Sequence, residues 1–430
     1  MNAAASSYGK IPADQPFVPV LLGGDIGIYA YAREFHQAYG VISKVVSANE
    51  NWLISDSVAI DPVIVGPMVD EDVVIPQLIQ LGRQLTEDNN RPLLLLSGFD
   101  HLVKMIVKHR DDLSIWYTIP YPSLDAIEKA SDKVSFQQLC RELDIPHPRT
   151  LTIDLGAAAS RQNPMDTRVA GISSALNRAG LGWPVIVKPA DSGKWASAAF
   201  ENWQKVYVIN SLDEMLALFV EAQGAGYDGV LLIQEYVGGG DENMRLLSCF
   251  LDADQNVRLS AYAEVALEDH NKGTEGNSLV ILSGEDATVQ EHGAKILKAL
   301  GWEGFAMFDL KVDPKDGQAK FFELNPRLGR NHMYITAAGE NPAEWLVRHY
   351  LPQIDATPLP ESVNLTGPSG YTVLPLAATY RQGSPEQQRR LKALGKALLN
   401  PYHYEAETSS KRKFTVFSRQ AKWALDAFRR

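Results

Sequence analysis

Phe305-Ala306-Met307-Phe308-Asp309-Leu310-Lys311-Val312 and Lys320-Phe321-Phe322-Glu323-Leu324-Asn325-Pro326-Arg327 decide how this chain is read. Each alternates its side chains with the period of a β-strand, and the intervening Asp313-Pro314-Lys315-Asp316-Gly317 is turn chemistry. The two stretches predict a hairpin. Pairing symmetric about the turn sets Asp309 across from Glu323 and sends Ala306, Phe308, Leu310, Phe322 and Leu324 to the opposite, buried face. Asn325 then shares a face with Glu323. Two carboxylates facing each other across a ladder repel, so with an amide oxygen beside them they suit a hard cation such as Mg²⁺. Arg327 follows at once, a fixed cationic fork for a phosphate or carboxylate oxygen. The plain alternative is a solvated polar face on an edge hairpin, which leaves Asn325-Pro326-Arg327 without a reason.

Outward from the hairpin, 430 residues exceed one ordinary core and predict two or three domains. Hydrophobic content of 45% against 22% charged residues is that of a globular chain. A net charge of −11 supplies no global positive field, which argues against a nucleic-acid coat. The N-terminus lacks the charged start and apolar stretch of a signal peptide, and no apolar run is long enough to span a bilayer. The expectation is a cytoplasmic protein without a transmembrane segment. Cys140 and Cys249 sit among apolar neighbours, which suits buried thiols better than a disulfide framework or a zinc site.

The first part reads as strand (17–22), helix (26–39), strand (41–48), and again as strand (92–97) followed by a helix, the order of a parallel sheet with covering helices. Gly23-Gly24-Asp25-Ile26-Gly27 invites a dinucleotide reading, but its spacing misses the glycine fingerprint, and a turn that starts a helix accounts for it. From residue 127 the pattern is helical, with Lys133 near the start of a stripe of Phe136, Leu139, Cys140 and Leu143. Residues 156–182, rich in Ala, Ser, Gly and Asn, read as a loop and a small helix. Strands are predicted at 184–188, 206–209, 230–237, 246–251, 257–265 and 278–282, and a helix at 289–300. This second part is α+β, and a new domain begins near residue 120. Beyond residue 358 come a charged helix (384–399) and a basic segment (410–430). In that segment Phe414, Phe417, Ala421, Ala424, Leu425 and Phe428 recur at helical spacing opposite the charges. Two readings stand for the segment: a helix docked on its own protein with a solvated basic face, or weak contact with a membrane surface.

Lys188 ends the apolar strand of 184–188, and Ala190-Asp191-Ser192-Gly193-Lys194 follows. A lysine there is costly without an anion, and a small flexible loop can turn N–H groups toward phosphate. Gln234-Glu235-Tyr236-Val237 is a strand-to-loop passage able to offer a carbonyl and an amide to an adenine edge, with Glu242 beyond it for ribose hydroxyls. Taken in order, Lys133, Lys188 with Ser192 and Gly193, Glu235-Tyr236-Val237, Asp309 and Glu323-Leu324-Asn325-Pro326-Arg327 resemble the ATP-grasp superfamily. That resemblance implies a fold: a Rossmann-like pre-ATP-grasp α/β domain (1–119), a two-subdomain ATP-grasp domain (120–355) and a small C-terminal helical extension (356–430). It also implies ATP bound by Lys133, Lys188, Ser192, Gly193, Glu235, Tyr236, Val237 and Glu242. Asp309, Glu323 and Asn325 would hold Mg²⁺, or Mn²⁺ in its place. Asp309 stands where the superfamily more often has glutamate, a shorter reach that bears on whether one or two metals bind.

Pro120-Tyr121-Pro122-Ser123, Glu235-Tyr236-Val237-Gly238-Gly239-Gly240-Asp241-Glu242-Asn243, Gly273-Thr274-Glu275-Gly276-Asn277-Ser278-Leu279-Val280 and Asn325-Pro326-Arg327-Leu328-Gly329-Arg330 are most similar to the carboxylate-amine ligase group that includes D-aspartate ligase. The group implies a small-molecule carboxylate activated as an acyl phosphate and joined to an amine acceptor, with cell-wall cross-bridge synthesis as the setting the resemblance suggests. Arg327 is then the group that steadies the transferring phosphoryl, and Arg330 and Lys272 are candidates for substrate carboxylates, a surface charge being the alternative for each. No side-chain nucleophile is needed, and no Ser-His-Asp or Cys-His arrangement is evident. Two other readings compete: a carboxylase using bicarbonate, weakened by the lack of a Met-Lys-Met biotin site, and a non-catalytic nucleotide sensor, for which Arg327 would be superfluous.

Overall fold

The structure, a computed structural model, describes residues 11–428 other than 13, 90, 158–164, 199, 201–202, 205, 272–273 and 275. It divides into two compact units. The first gathers Met1–Ser131, Gly240–Leu310 and Glu323–Arg430; the second gathers Asp132–Gly239 and Lys311–Phe322.

In the first unit a five-stranded sheet runs in the order Ile60–Ile64, Ser43–Ser47, Val18–Leu22, Leu93–Ser97, Tyr117–Thr118, every pair parallel. Leu93-Leu94-Leu95-Leu96 has no polar face because a central parallel strand is covered on both sides, and it is buried throughout. The helix Ile26–Tyr39 forms as predicted. Asp25 caps it, Oδ1 accepting from Ile28 N at 3.1 Å, and Gly40 ends it with φ 67°, a left-handed conformation open to glycine. The chain builds outward from Val18–Leu22 on one side and then returns to its other side with Leu93–Ser97. Strand order therefore reverses between these two, the position where open α/β sheets bind ligands beyond their carboxyl ends. Asp25 and Asp100 both lie just past those ends.

The second sheet of this unit is ordered Ala319–Asn325, Gly304–Val312, Met244–Leu251, Val257–Glu268, Ser278–Ser283, Gly370–Thr372, with Val363–Asn364 beside Val257–Glu268. The predicted hairpin is present at its edge, closed by Asp313 N–H to Gln318 O at 2.9 Å and by Gly317 at φ 73°. Ala306, Phe308, Leu310 and Leu324 are buried as expected. Phe322 is only half-buried, and Phe321, whose N–H donates to Pro146 O at 2.9 Å, takes the covered place instead. Phe305 and Met307 are buried too, since Gly304–Val312 is an interior strand packed on both faces. The two cysteines are free and buried, and burial pushes both thiols up to about 12.

The last helix, Ser410–Phe428, docks within this unit, but not by the face that its hydrophobic spacing proposes. Arg412, Val416 and Gln420 face inward, one turn apart, whereas Phe414 and Phe417 are 72% and 70% exposed. Arg412 explains the inversion. Its guanidinium donates to Trp52 O, Leu53 O and Ser55 O at 3.2, 3.2 and 2.9 Å, pairs with Glu407 at 3.2 Å, and lies 4.6 Å from the centre of the Tyr29 ring. A buried cation so fully satisfied fixes the register of the helix regardless of its aromatic stripe.

The second unit holds a four-stranded antiparallel sheet in the order Thr150–Asp154, Val230–Glu235, Val185–Pro189, Tyr207–Ile209. Its core joins Val185, Val187, Leu231 and Ile233 of the sheet to Trp195, Met215 and Phe219. Two expectations are corrected here. The stretch after Pro189 is not a flexible loop but leads into a short helix, Ser192–Ser197, anchored by buried Trp195. Within residues 156–182, a fourteen-residue helix, Met165–Arg178, forms, because Leu176 buries against the core despite the small-residue composition around it. In the first unit, the charged helix expected over 384–399 stops at Leu394, where Gly395 breaks it.

Candidate active site

The hairpin brings Asp309, Glu323, Asn325 and Arg327 to one place in the first unit. Asn325, buried, donates Nδ2 to Asp309 Oδ2 at 2.9 Å, and its Oδ1 accepts from Arg327 Nη2 at 3.4 Å. Burial, then the charge of Glu323, pushes the Asp309 carboxyl up to about 7, against the opposing pull of Asn325 and Arg327. That is the electrostatics of two carboxylates crowding one buried place. Among the described residues no group of three or more His, Cys, Asp or Glu side chains could hold a metal by itself. Two carboxylates and an amide suit Mg²⁺ all the same, because that ion binds through one or two carboxylates and completes its shell with phosphate oxygens and water. Coordination by Asn325 requires its amide to turn, oxygen toward Asp309.

Arg327 is gripped from the parallel sheet. Its Nη2 donates to Asp100 Oδ2 at 3.1 Å, and Nε lies 2.8 Å from Oδ1, close enough for an ion pair although not aligned as a hydrogen bond. Burial opposes the guanidinium charge, and Asp100 more than restores it, so Arg327 stays firmly cationic. Arg330 is partly exposed beside Asp25, and Glu242 is exposed in the turn Asp241–Asn243. Lys272 lies outside the described residues.

The other predicted residues belong to the second unit. Lys188 donates to Gln234 Oε1 at 3.0 Å across adjacent strands, and Lys133 is the first residue of the helix Lys133–Glu142, after the cap Asp132. Ser192 and Gly193 open the helix Ser192–Ser197. Glu235 is committed: Arg149 donates Nη2 to Oε1 at 2.8 Å and Nε to Oε2 at 3.3 Å, and Lys320 stands 3.1 Å away, itself 2.8 Å from buried Asp313. Burial resists ionisation of Glu235, but these donors outweigh it and hold the carboxyl down to about 2. Its side chain is therefore structural. What the passage can offer adenine is backbone: Tyr236 is half-buried, Val237 is buried, and among the described residues no hydrogen bond engages the Val237 N–H.

Asp25, Asp100, Arg149 and Lys320 were not singled out by the sequence reading. Asp100 and Asp25 could have been found from topology alone, since each begins a helix after one of two strands flanking a reversal of strand order.

The likenesses of this chain, in sequence and in fold, are to proteins of the ATP-grasp superfamily. A curated relative, D-aspartate ligase from Enterococcus faecium (strain Aus0004), is 28% identical over 337 residues, covering 77% of this chain and 76% of that protein. Among solved structures, L-amino acid ligase from Bacillus licheniformis superposes with a TM-score of 0.53 at 13% identity, over 79% of this chain and 75% of the other. A biotin carboxylase from Campylobacter jejuni, solved as a β-γ-ATP complex, gives 0.56 at 18% identity, over 82% and 74%. These two likenesses define the fold. No family model matches the chain.

Proposed function

We infer that this chain is an ATP-dependent carboxylate-amine ligase, and propose that it activates an amino acid such as D-aspartate. The observation that carries the reading is the cluster of Asp309, Glu323, Asn325 and Arg327 on an ATP-grasp fold, in a chain related to D-aspartate ligase across three-quarters of both lengths. Asp309, Glu323 and Asn325 would hold Mg²⁺, which when bound neutralises the phosphate oxygens of ATP. Lys133 and Lys188 contact those phosphates, and the backbone of Glu235-Tyr236-Val237 receives adenine. A substrate carboxylate oxygen attacks the γ-phosphorus, the bond to ADP breaks, and Arg327 steadies the charge on the transferring group. The amine then adds to the acyl carbon, phosphate leaves with the bonding electrons, and the new amide nitrogen sheds a proton. The reaction belongs to the cytoplasm, where ATP is, and a cell-wall cross-bridge is the proposed product.

Phosphate release from ATP, measured over D- and L-amino acids with hydroxylamine added to trap the acyl phosphate, tests this. A hydroxamate formed with one acid and dependent on ATP is expected. Release driven by bicarbonate alone would replace the ligase with a carboxylase.

No described helix is long and apolar enough to cross a membrane. Weak surface contact is nevertheless part of the proposal, because exposed Phe414 and Phe417 are flanked by exposed Lys411 and Lys413. Each basic residue near an anionic surface contributes about 1 kcal/mol, lost as salt rises. Co-sedimentation with anionic vesicles that disappears in Phe414→Ser/Phe417→Ser and at high salt supports it; equal sedimentation of both proteins removes it.

A further inference from the structure

Arg327 begins a loop, residues 327–332, whose far end is pinned inside the first unit by a buried histidine. The guanidinium is oriented by the loop's own backbone, since Arg327 Nη1 donates to Leu328 O at 3.3 Å. The next carbonyl, Gly329 O, lies 2.9 Å from His332 Nδ1, and His332 Nε2 lies 2.9 Å from Glu34 Oε2. The other carboxylate oxygen, Glu34 Oε1, accepts from the Thr336 hydroxyl. Glu34 and His332 are wholly buried, and phosphoryl transfer as described above gives neither of them a part.

One face of the helix Ile26–Tyr39 meets this loop. Gly27, Tyr31 and Glu34 follow one another at intervals of four and three residues, so they form one row. A Cβ on Gly27 would stand 2.8 Å from Arg330 Cα, and the Tyr31 ring centre is 4.3 Å from that of His332. On the loop's other side, a Cβ on Gly329 would stand 2.5 Å from Met307 Sδ, in the strand that carries Asp309. The loop is wedged between helix and hairpin, with no room for a side chain at either contact.

The partners of the His332 ring dictate its protons. Gly329 O can only accept, so Nδ1 must carry a hydrogen. An ionised Glu34 accepts at both oxygens, from Thr336 at one and from Nε2 at the other, so Nε2 must carry a second. A neutral imidazole has a single N–H and would leave two lone pairs facing each other away from water, the costly case of an unsatisfied buried polar group. We propose that Glu34 holds His332 as an imidazolium and that both are positioning residues, fixing the Gly329 carbonyl and with it the loop that aims Arg327 at the transferring phosphoryl group. The groups around the ring agree. Glu34 and Asp25, on the helix and at its cap, favour the charge against burial, Arg33 acts on Glu34, and burial keeps Tyr31 neutral. The part given to Arg327 rests on the ligase reading above.

Glu34→Gln separates charge from contact, because it can keep every hydrogen bond without the shared proton: its amide oxygen accepts from Thr336, its N–H donates to Nε2, and Nδ1–H still reaches Gly329 O. In the wild type, kcat for ADP formation is expected to fall as pH rises and that proton leaves, with the KM for ATP little changed; in Glu34→Gln the alkaline fall is expected to disappear. His332→Phe keeps a ring without a donor and should lower kcat about tenfold to a hundredfold, the effect of one charge-assisted hydrogen bond, again with little change in the KM for ATP. His332→Asn, whose Nδ2 occupies the place of Nδ1, should recover part of that loss, and it stands in if the phenylalanine variant folds poorly. The ring is read directly by nitrogen NMR of histidine-labelled full-length protein at about pH 8, where an ordinary histidine is neutral, its signal assigned by its loss in a His332 variant. Two protonated ring nitrogens are expected in the wild type and one in Glu34→Gln. A singly protonated ring in the wild type, or the same alkaline fall in both proteins, overturns the inference and leaves the ligase standing. If no acid supports turnover, the ligase reading falls, and the spectrum still decides the imidazolium.

Discussion

Asp309 and Arg327 show how much one side chain can carry. Exchanging Asp309 for Asn or Glu323 for Gln should abolish turnover, because each removes a charge from the proposed metal site. Stability should move the other way. A carboxyl whose pKa rises on folding, here to about 7, contributes stability that is complete below its ordinary value and is lost as pH climbs to 7. Metal-free wild type is therefore strained at pH 8, and Asp309→Asn should melt higher by about 2–4 °C for each kcal/mol of relief. Full activity of both variants at saturating Mg²⁺ would remove the metal assignment. Lys188→Ala should weaken ATP binding by roughly tenfold to a hundredfold, whereas Arg327→Ala should slow phosphoryl transfer with little change in ATP affinity. Titration with a fluorescent ATP analogue separates the two, and undiminished affinity in Lys188→Ala counts against its phosphate contact. Asp309, Glu323 and Lys188 were legible as candidates because each is an acid or base on an otherwise apolar strand, whereas Lys133 opens a helix and Arg327 follows a strand end. Asp100 was not. It meets Arg327 across 227 positions, and no local spacing encodes a partner that distant.

At the scale of elements, the strands that were read from periodicity formed with ends shifted by up to three residues and the helix Ile26–Tyr39 formed as expected, but the strands Ile60–Ile64 and Thr150–Asp154 and the helix Glu71–Asn89 went unread. The C-terminal helix was readable as a helix but not as to which side docks. Its sequence offers two faces, and the choice falls to Arg412, 3% exposed and bound to three carbonyls and Glu407, which a hydrophobicity pattern scores as surface. Arg412→Met should cost about 3–5 kcal/mol, because it strands the Glu407 charge and three carbonyls inside the protein. Phe414→Ser and Phe417→Ser should stay within about 0.5 kcal/mol of wild type. Urea denaturation of the three variants checks the ranking, and an unstable Phe414→Ser beside a stable Arg412→Met would mean that the helix docks by its aromatic face.

Over the whole molecule, the first unit is assembled from three separated stretches of chain, and one fully buried polar contact joins two of them. Glu34 and His332, both wholly buried, meet at 2.9 Å through Oε2 and Nε2. Burial disfavours the imidazolium, but the Glu34 charge and hydrogen bond prevail and raise the His332 pKa. The pair's stability is thus complete below the ordinary histidine value of about 6.5 and is lost as pH rises through the elevated one. Melting temperature should fall on the alkaline side in wild type and respond less in Glu34→Gln; parallel profiles from pH 6 to 9 would exclude the pair as the cause. The same interleaving sets an order of events during synthesis. The carbonyls of residues 52, 53 and 55 leave the ribosome 357–360 residues ahead of the guanidinium that satisfies them. At cellular translation rates that interval is on the order of half a minute. Throughout it the nascent parallel sheet borders a loop whose acceptors only water can serve, so the earliest part of the chain to appear is among the last to become fully native.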